Sequence, residues 1–412
     1  MGLRRQGVTR VRDVDALCTG LSPELSRLVT QLWGRDHQRA VVVCSGRLPQ
    51  DLRMVEQYVA FPSLRSAKFL VPADSLRVAA GSLLCYRGLR RRRTQLLRLA
   101  LVALLPIWLR GHRIRVCVPQ HYDEAATADV LMLSEVTRAL GRQRLVAAIG
   151  VGNPGPNRKP TLQLFDMSGQ PTAFVKVGWN ELTRAMVVNE AAALRGMSGL
   201  GLALPRRPEV LLHVRWHDVE LLAAEPLPLD ARQLDPYQPA PAEFDGPEVP
   251  APLNGSKYWN SVRDRIVDLS TTGTVTDEEM AVVRAYAHGV QDRWSTTEIR
   301  FAPWHGDWSF WNMARADDEL WVWDWEHFAE SAPRGMDTFH FHFQRVFIRE
   351  RRRFHDALTE ASARCTVGGQ PSVVASVYPL ELYLRAAAMH VGGAGWNPRF
   401  HDDAVRWLKN SA

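Results

Sequence analysis

The stretch WHGDWSFWNMARADDELWVWDWEHF, residues 304–328, sets Asp307, Asn312 and Asp324 within eighteen positions of one another. Between the last two lies Ala-Asp-Asp-Glu, a turn signal that folds the chain into a hairpin and brings its ends together. A loop residue, a residue at a strand start and a residue at a strand end would then converge on one point. Phosphoryl transfer needs such a set. One carboxylate orients an attacking hydroxyl and accepts its proton, while an amide and a second carboxylate hold magnesium against phosphate oxygens. Leu320, Trp321, Val322 and Trp323 show no alternation and read as a buried strand run leading to Asp324.

Several elements must position these groups. From Arg144 the chain reads as closely spaced strands, RLVAAIGV, TLQLFD and TAFVKVG, followed by a helix from about Asn180 to Met197. The third strand carries Lys176 and the helix carries Glu190. Residues 229–256 are rich in proline and acid and read as a long loop or linker without regular structure. Residues 257–412 read as mainly helical. Residues 1–140 alternate apolar runs (RAVVVCS, AKFLVP, RIRVCVP) with helical patterns (SPELSRLVTQLW, EAATADVLMLSEVTRALG), a small α/β region without a catalytic constellation.

His-Gly-Asp at 305–307, Asn312 five residues on and Asp-Trp-Glu at 324–326 together resemble the aminoglycoside phosphotransferase and choline kinase-like family of the protein-kinase-like fold, over about residues 141–395. The resemblance implies an α+β fold of two lobes, a small β-rich N-lobe (141–228) and a mainly helical C-lobe (257–412), here preceded by the additional α/β region. It implies ATP and magnesium as cofactors. By position, Asp307 would be the catalytic base, Asn312 and Asp324 the magnesium ligands, Glu326 a further acidic group and His305 a brace for the loop. Lys176 would contact nucleotide phosphates and pair with Glu190. Gly150, Gly152 and Gly155 would cover the phosphates, and the backbone around Glu225, from Ala224 to Pro226, would take the adenine.

Each of these residues also has a structural reading. Lys176 can be an edge-strand lysine, Glu190 a solvated helix residue, the glycines a plain hairpin loop, and Trp308, Phe310 and Trp311 core packing. The substrate side carries Arg334, Arg345, Arg349, Arg351, Arg352 and Arg353 against Asp337 and Glu350, which suits a neutral or anionic sugar-like acceptor better than a polycation. The alternative is a kinase-like module that binds nucleotide without turnover. The run at 349–353 reads as a solvated helix face.

At 412 residues and a net charge of +7 the chain is long enough for two or three cores, and its basic balance suits anionic ligands. Five scattered cysteines without a close pair indicate neither a disulfide framework nor a zinc site, and a reducing cytoplasm is expected. The first residues show no signal peptide, and Gln6 departs from a myristoylation motif. The apolar run Leu99–Leu109 is too short to span a bilayer. It reads as a buried helix broken at Pro106 and entered through Arg90–Arg93. Weak peripheral membrane contact through residues 87–115 is a second reading of the same segment. Nucleic acid is a third, but no stacking aromatics accompany the arginines and none is expected as a partner.

Overall fold

The computed structural model describes residues 20–34, 40–44, 48, 50–110, 113–151, 159–198, 205–243, 248–365 and 373–411. Gly152, Gly155, Cys18 and the N-terminal residues read for a signal or lipid motif lie outside them. The chain divides into two compact units. The first comprises residues 1–154, 158–179 and 210–229, and the second residues 155–157, 180–209 and 230–412.

The first unit is built on strands β1 (Val41–Val43), β2 (Leu52–Phe61), β3 (Phe69–Pro72), β4 (Arg113–Pro119), β5 (Val146–Gly150), β6 (Thr161–Phe165), β7 (Pro171–Gly178), β8 (Val210–Trp216) and β9 (Val219–Ala224). They form a single antiparallel sheet in the order β1-β4-β2-β3-β5-β6-β7-β9-β8. The boundary expected at residue 140 does not interrupt it, because β3 pairs with β5 through Phe69–Gly150 and Leu70–Ile149. One core serves both halves, with Leu25, Ile114 and Val116 packed in the same cluster as Leu164, Val177 and Leu221.

Helices of this unit are α1 (Pro23–Trp33), α2 (Leu76–Leu84), α3 (Arg92–Ala103), α4 (Leu105–Trp108), α5 (Glu124–Val130) and α6 (Met132–Ala139). Several begin where a short polar side chain satisfies a free amide. Ser22 accepts from Leu25 N, Ser75 from Val78 N and Asp123 from Ala126 N. Counting from β5, β7 is the third strand; it carries Lys176, half-buried and registered against Thr161 and Leu222. Glu225 directly follows β9.

The second unit holds α7 (Glu181–Ser198), α8 (Lys257–Thr271), α9 (Asp277–Arg293), α10 (Met336–Gln344), α11 (Phe354–Arg364), α12 (Val373–Met389) and α13 (His401–Ser411). Its strands are β10 (Arg232–Gln233), β11 (Val249–Pro252), β12 (Glu298–Trp304), β13 (Met313–Ala316), β14 (Glu319–Val322) and β15 (Ala329–Pro333), in two small sheets ordered β10-β13-β14 and β11-β12-β15. Aromatic side chains dominate its core, among them Trp259, Phe339, Phe343, Phe354, Tyr378 and Tyr383. The α+β class expected from the sequence is the class of the structure: a sheet-rich unit and a mainly helical one.

Five expectations change. Residues 229–256 are not without regular structure, since β10 and β11 add an edge strand to each small sheet, and the prolines of β11 sit in an edge strand, the place in a sheet that tolerates them. In the run before Asp324 only Val322 is buried, because β14 has Leu320 and Trp321 partly open. The α3–α4 segment is not a buried helix, as Leu96, Leu97, Leu104 and Ile107 are exposed. Arg351–Arg353 lies in a break between helices, with Arg351 at φ 58°, instead of on a helix face. Cys85, Cys117 and Cys365 are free thiols, whereas Cys44 is disulfide-bonded, which the spacing did not indicate.

Candidate functional site

The hairpin that was read from Ala-Asp-Asp-Glu is formed. Asp317 and Asp318 both have positive φ, 48° and 63°, as a two-residue type I′ turn requires, and β13 pairs β14 from Met313–Val322 to Ala316–Glu319. Its open end brings the two arms together, with Trp323 N donating to Asn312 O at 3.1 Å. Asp324 follows in the left-handed region at φ 65° and starts the short turn Trp325–His327.

Asp307 is at the centre of a dense hydrogen-bond set. Its Oδ1 accepts from Ser309 Oγ at 2.6 Å and from His340 Nε2 at 2.9 Å, and its Oδ2 accepts from Asn312 Nδ2 at 2.9 Å. Nδ2 of Asn312 also donates to Asp307 O at 3.1 Å, which leaves the amide oxygen as the group able to face a cation. Burial raises the Asp307 carboxyl, but the bond and charge of His340, with Ser309 and His327, outweigh it and hold the group well below the usual carboxylate range. Asp307 is therefore ionised at neutral pH, and 28% of its side-chain surface remains open.

Behind it, Tyr378 Oη lies 2.8 Å from His340 Nδ1. Burial first of all keeps the Tyr378 hydroxyl protonated far above neutrality. Tyr378 Oη and His340 Nδ1 share this bond, while the other ring nitrogen, Nε2, donates to Asp307.

His305 holds the loop from inside. It is fully buried, its Nδ1 accepts from Asp307 N at 3.1 Å, and its Nε2 is 3.0 Å from Trp323 O. That pair of bonds fits a neutral ring with the proton on Nε2, and burial pushes its pKa down to about 4. The ring meets Trp308 and Trp325 edge-on. Gly306, at φ 85°, is where the loop passes the 327 backbone, and a Cβ there would collide with His327 O. Asp337 accepts from His305 N at 2.7 Å and Gly306 N at 3.0 Å. Burial, then Glu243, pushes its carboxyl up to about 8, while the two amides and Arg385 pull the other way.

Arg385 donates to Gly306 O, lies over the Trp304 ring and shares the buried Glu381 with Arg265. The Glu381 carboxyl is raised by burial but lowered further by those two guanidinium groups, so the triad is charged. The former linker also takes part. Glu243 accepts from Gly335 N at 3.1 Å and Thr338 N at 2.7 Å, capping α10 where Gly335 has no side chain to do so. Trp308 is wholly buried and donates to Pro241 O, whereas Phe310 and Trp311 form a half-buried edge-on pair.

Glu190, Asp324 and Glu326 place one carboxylate oxygen each within 4.8 Å of one another. The α7 helix is fixed there by Asn189, whose Nδ2 donates to Glu326 O at 2.9 Å and Phe328 O at 3.0 Å. Glu190 stands with the two acids of the Asp-Trp-Glu stretch and is itself buried. All three offer hard oxygen donors of the kind that magnesium takes. Of the expected site residues, His305, Asp307 and Asn312 form one hydrogen-bonded set, and Asp324, Glu326 and Glu190 a second beside the same hairpin. Lys176, Gly150 and Glu225 belong to the other unit.

Sequence reasoning missed Asp337, His340, Tyr378, Glu381 and Arg385. One signal for the first pair was available: Asp337 and His340 are three apart on α10, hence on one helix face.

No family model matches the chain, and the comparison with curated proteins finds no match. Among solved structures it is similar to a protein described as a candidate fructosamine-3-kinase from Haemophilus somnus 129PT, at 10% identity and TM-score 0.41 over 67% of this chain and 95% of that one. It is similar to an apo thermostable mutant of aminoglycoside phosphotransferase APH(4)-Ia at 12% and 0.43, covering 67% and 95%. A third is LicA in complex with AMP, at 13% and 0.41, covering 68% and 98%. At such identities and TM-scores the likeness assigns no activity to this chain.

Proposed function

We propose that this chain is an ATP- and magnesium-dependent phosphotransferase that moves a γ-phosphate to the hydroxyl of a small molecule. The observation that supports this reading most is the coupled pair Asp307 and Asn312: an ionised, partly open carboxylate whose second oxygen is fixed by the amide beside the acidic cluster. Asp307 orients the acceptor hydroxyl and takes its proton as transfer proceeds. Ser309, His340 and Asn312 keep the carboxylate from rotating, so the hydroxyl meets a fixed acceptor.

The amide oxygen of Asn312 and the carboxylates of Asp324, Glu326 and Glu190 would hold magnesium, which supplies neutralisation of phosphate charge. Lys176 is assigned to the nucleotide phosphates, Gly150, Gly152 and Gly155 to the loop over them, and the backbone around Glu225 to the adenine. In this reading the protein works in the cytoplasm.

For the acceptor, the finer reading is a neutral or anionic sugar-like metabolite. The arginines of 334–353 support it less than their number implies, because Arg334 is matched to Glu248, Arg345 to Glu350 and Glu360, and Arg352 to Glu350 and Asp356. Arg349, Arg351 and Arg353 are exposed and carry the remaining excess.

The test is ADP release by the purified chain with ATP and magnesium against sugars, amino alcohols, nucleosides and aminoglycosides. Acceptor-dependent release, lost in Asp307→Asn, is the expected result. Nucleotide binding with no release for any acceptor would instead make the chain a non-catalytic nucleotide-binding module.

A further inference from the structure

Helix α3 reverses the usual arrangement of an amphipathic surface helix. Its inward side is held by Leu101, and α4 and the residue after it add Leu105 and Leu109, all buried against Val59, Val71, Ala79 and Leu83. The opposite side is also apolar. Leu96, Leu99, Ala100, Ala103, Leu104 and Ile107 follow the i, i+3, i+4, i+7, i+8, i+11 spacing that normally marks a core-facing stripe, and every one of them is exposed. Ile107 and Leu96 keep 70% and 67% of their surface open, and Leu97 beside them keeps 50%. The stripe is about 16 Å long at the helical rise of 1.5 Å per residue. A continuous exposed patch of this kind marks a surface that meets something apolar.

Charge narrows what that is. Between Asp74 and Asp123 the sequence has ten arginines and no acidic residue. Arg91, Arg92 and Arg93 are exposed at one end of the stripe and Arg110 at the other. A second copy of this chain would bring a like-charged rim against this one, which is unfavourable. A nucleic acid would satisfy the arginines and leave the leucines in water.

We propose that the α3–α4 face docks on an anionic lipid bilayer, with the apolar stripe seated at the headgroup–acyl boundary and the terminal arginines on the lipid charges. The contact is peripheral, since no helix among the described residues is long and apolar enough to cross a membrane.

Flotation of the full chain with phosphatidylcholine vesicles containing about one-third phosphatidylglycerol, against phosphatidylcholine alone, tests this. Three proteins are compared: wild type, Leu96→Glu/Ile107→Glu, and Arg91→Ala/Arg92→Ala/Arg93→Ala. All replace exposed residues, and equal melting temperatures establish that the fold is kept. The wild type is expected to float with anionic vesicles and far less with neutral ones, and high salt should release it. The glutamate pair should lose at least about tenfold in partitioning. The arginine triple should lose about a hundredfold, at about fivefold per charge. Absence of the wild type from anionic vesicles, or equal partitioning of all three proteins, overturns the proposal. So does a wild-type dimer in ultracentrifugation that Leu96→Glu/Ile107→Glu dissolves, or nucleic-acid binding without vesicle binding.

Discussion

His340 Nε2 lies 2.9 Å from Asp307 Oδ1, and three residues earlier on the same helix Asp337 accepts the amides of His305 and Gly306. One turn of α10 therefore fixes both the backbone of the His-Gly-Asp loop and the carboxylate that it presents.

Asp307→Asn should lower turnover by about a hundredfold to ten-thousandfold, the usual worth of a positioned proton acceptor, and leave nucleotide affinity nearly unchanged. ADP release and a nucleotide titration on the same protein check it. Turnover equal to wild type would remove Asp307 from the chemistry.

His340 is a positioning residue. His340→Ala should reduce kcat with little change in the acceptor KM, because the carboxylate loses one of its three fixed donors. His340→Gln restores an N–H near Nε2 and should recover part of kcat. A loss that appears only as lower melting temperature, the same for both variants, would mean that His340 is structural.

Asp324→Ala should raise the magnesium concentration needed for half-maximal activity steeply or abolish activity, since it removes one of the clustered oxygen donors. A magnesium titration decides it, and an unchanged curve takes Asp324 out of the metal set.

Gly306→Ala should destabilise the protein by at least about 1–3 kcal/mol, the cost of a strained backbone position, before the collision with His327 O is added. Thermal denaturation reads this directly. A stable, fully active variant would show that the loop can move off the 327 backbone.

Stability should also fall with acid through His305. Its folded pKa of about 4 lies below the unfolded value of about 6.5, so the unfolded chain takes up the proton first and the native state is disfavoured as pH drops across that interval. The contribution is on the order of 3 kcal/mol and is fully lost by about pH 4, below which this group adds no further slope. Chemical denaturation at pH 7, 6 and 5 with wild type and His305→Gln would show it. An identical pH slope in the two would exclude His305 as the source.

What could be read in advance follows from how local each signal is. Asp307, Asn312 and Asp324 were legible because a single hairpin, announced by its own turn residues, brings them together. Lys176 on a third strand and Glu190 on the next helix were legible from strand spacing and helical period. His340 was not, because a histidine among phenylalanines on an apolar helix looks like any core position until a loop thirty-three residues away is laid against it. The strand β11 was hidden by its prolines, which argue against pairing unless the strand is known to lie at an edge, and β10 is only two residues long. The α3 face was misread because leucine spacing gives the period of a helix but not which side of it faces the protein.

The contacts that hold the Asp307 loop bridge long stretches of chain: 31 residues from Gly306 to Asp337, 79 from Gly306 to Arg385, and 92 from Glu243 to Gly335. Each closes a large loop of chain, whose entropy must be given up before the contact is gained. A nascent chain shorter than about residue 385 lacks the arginine that holds Gly306 O, so the site cannot be completed during early synthesis. High contact order of this kind slows folding. The α and β elements of the second unit should consequently gain their native spectroscopic signal before activity appears, and recovery of activity should be the last event in a refolding time course.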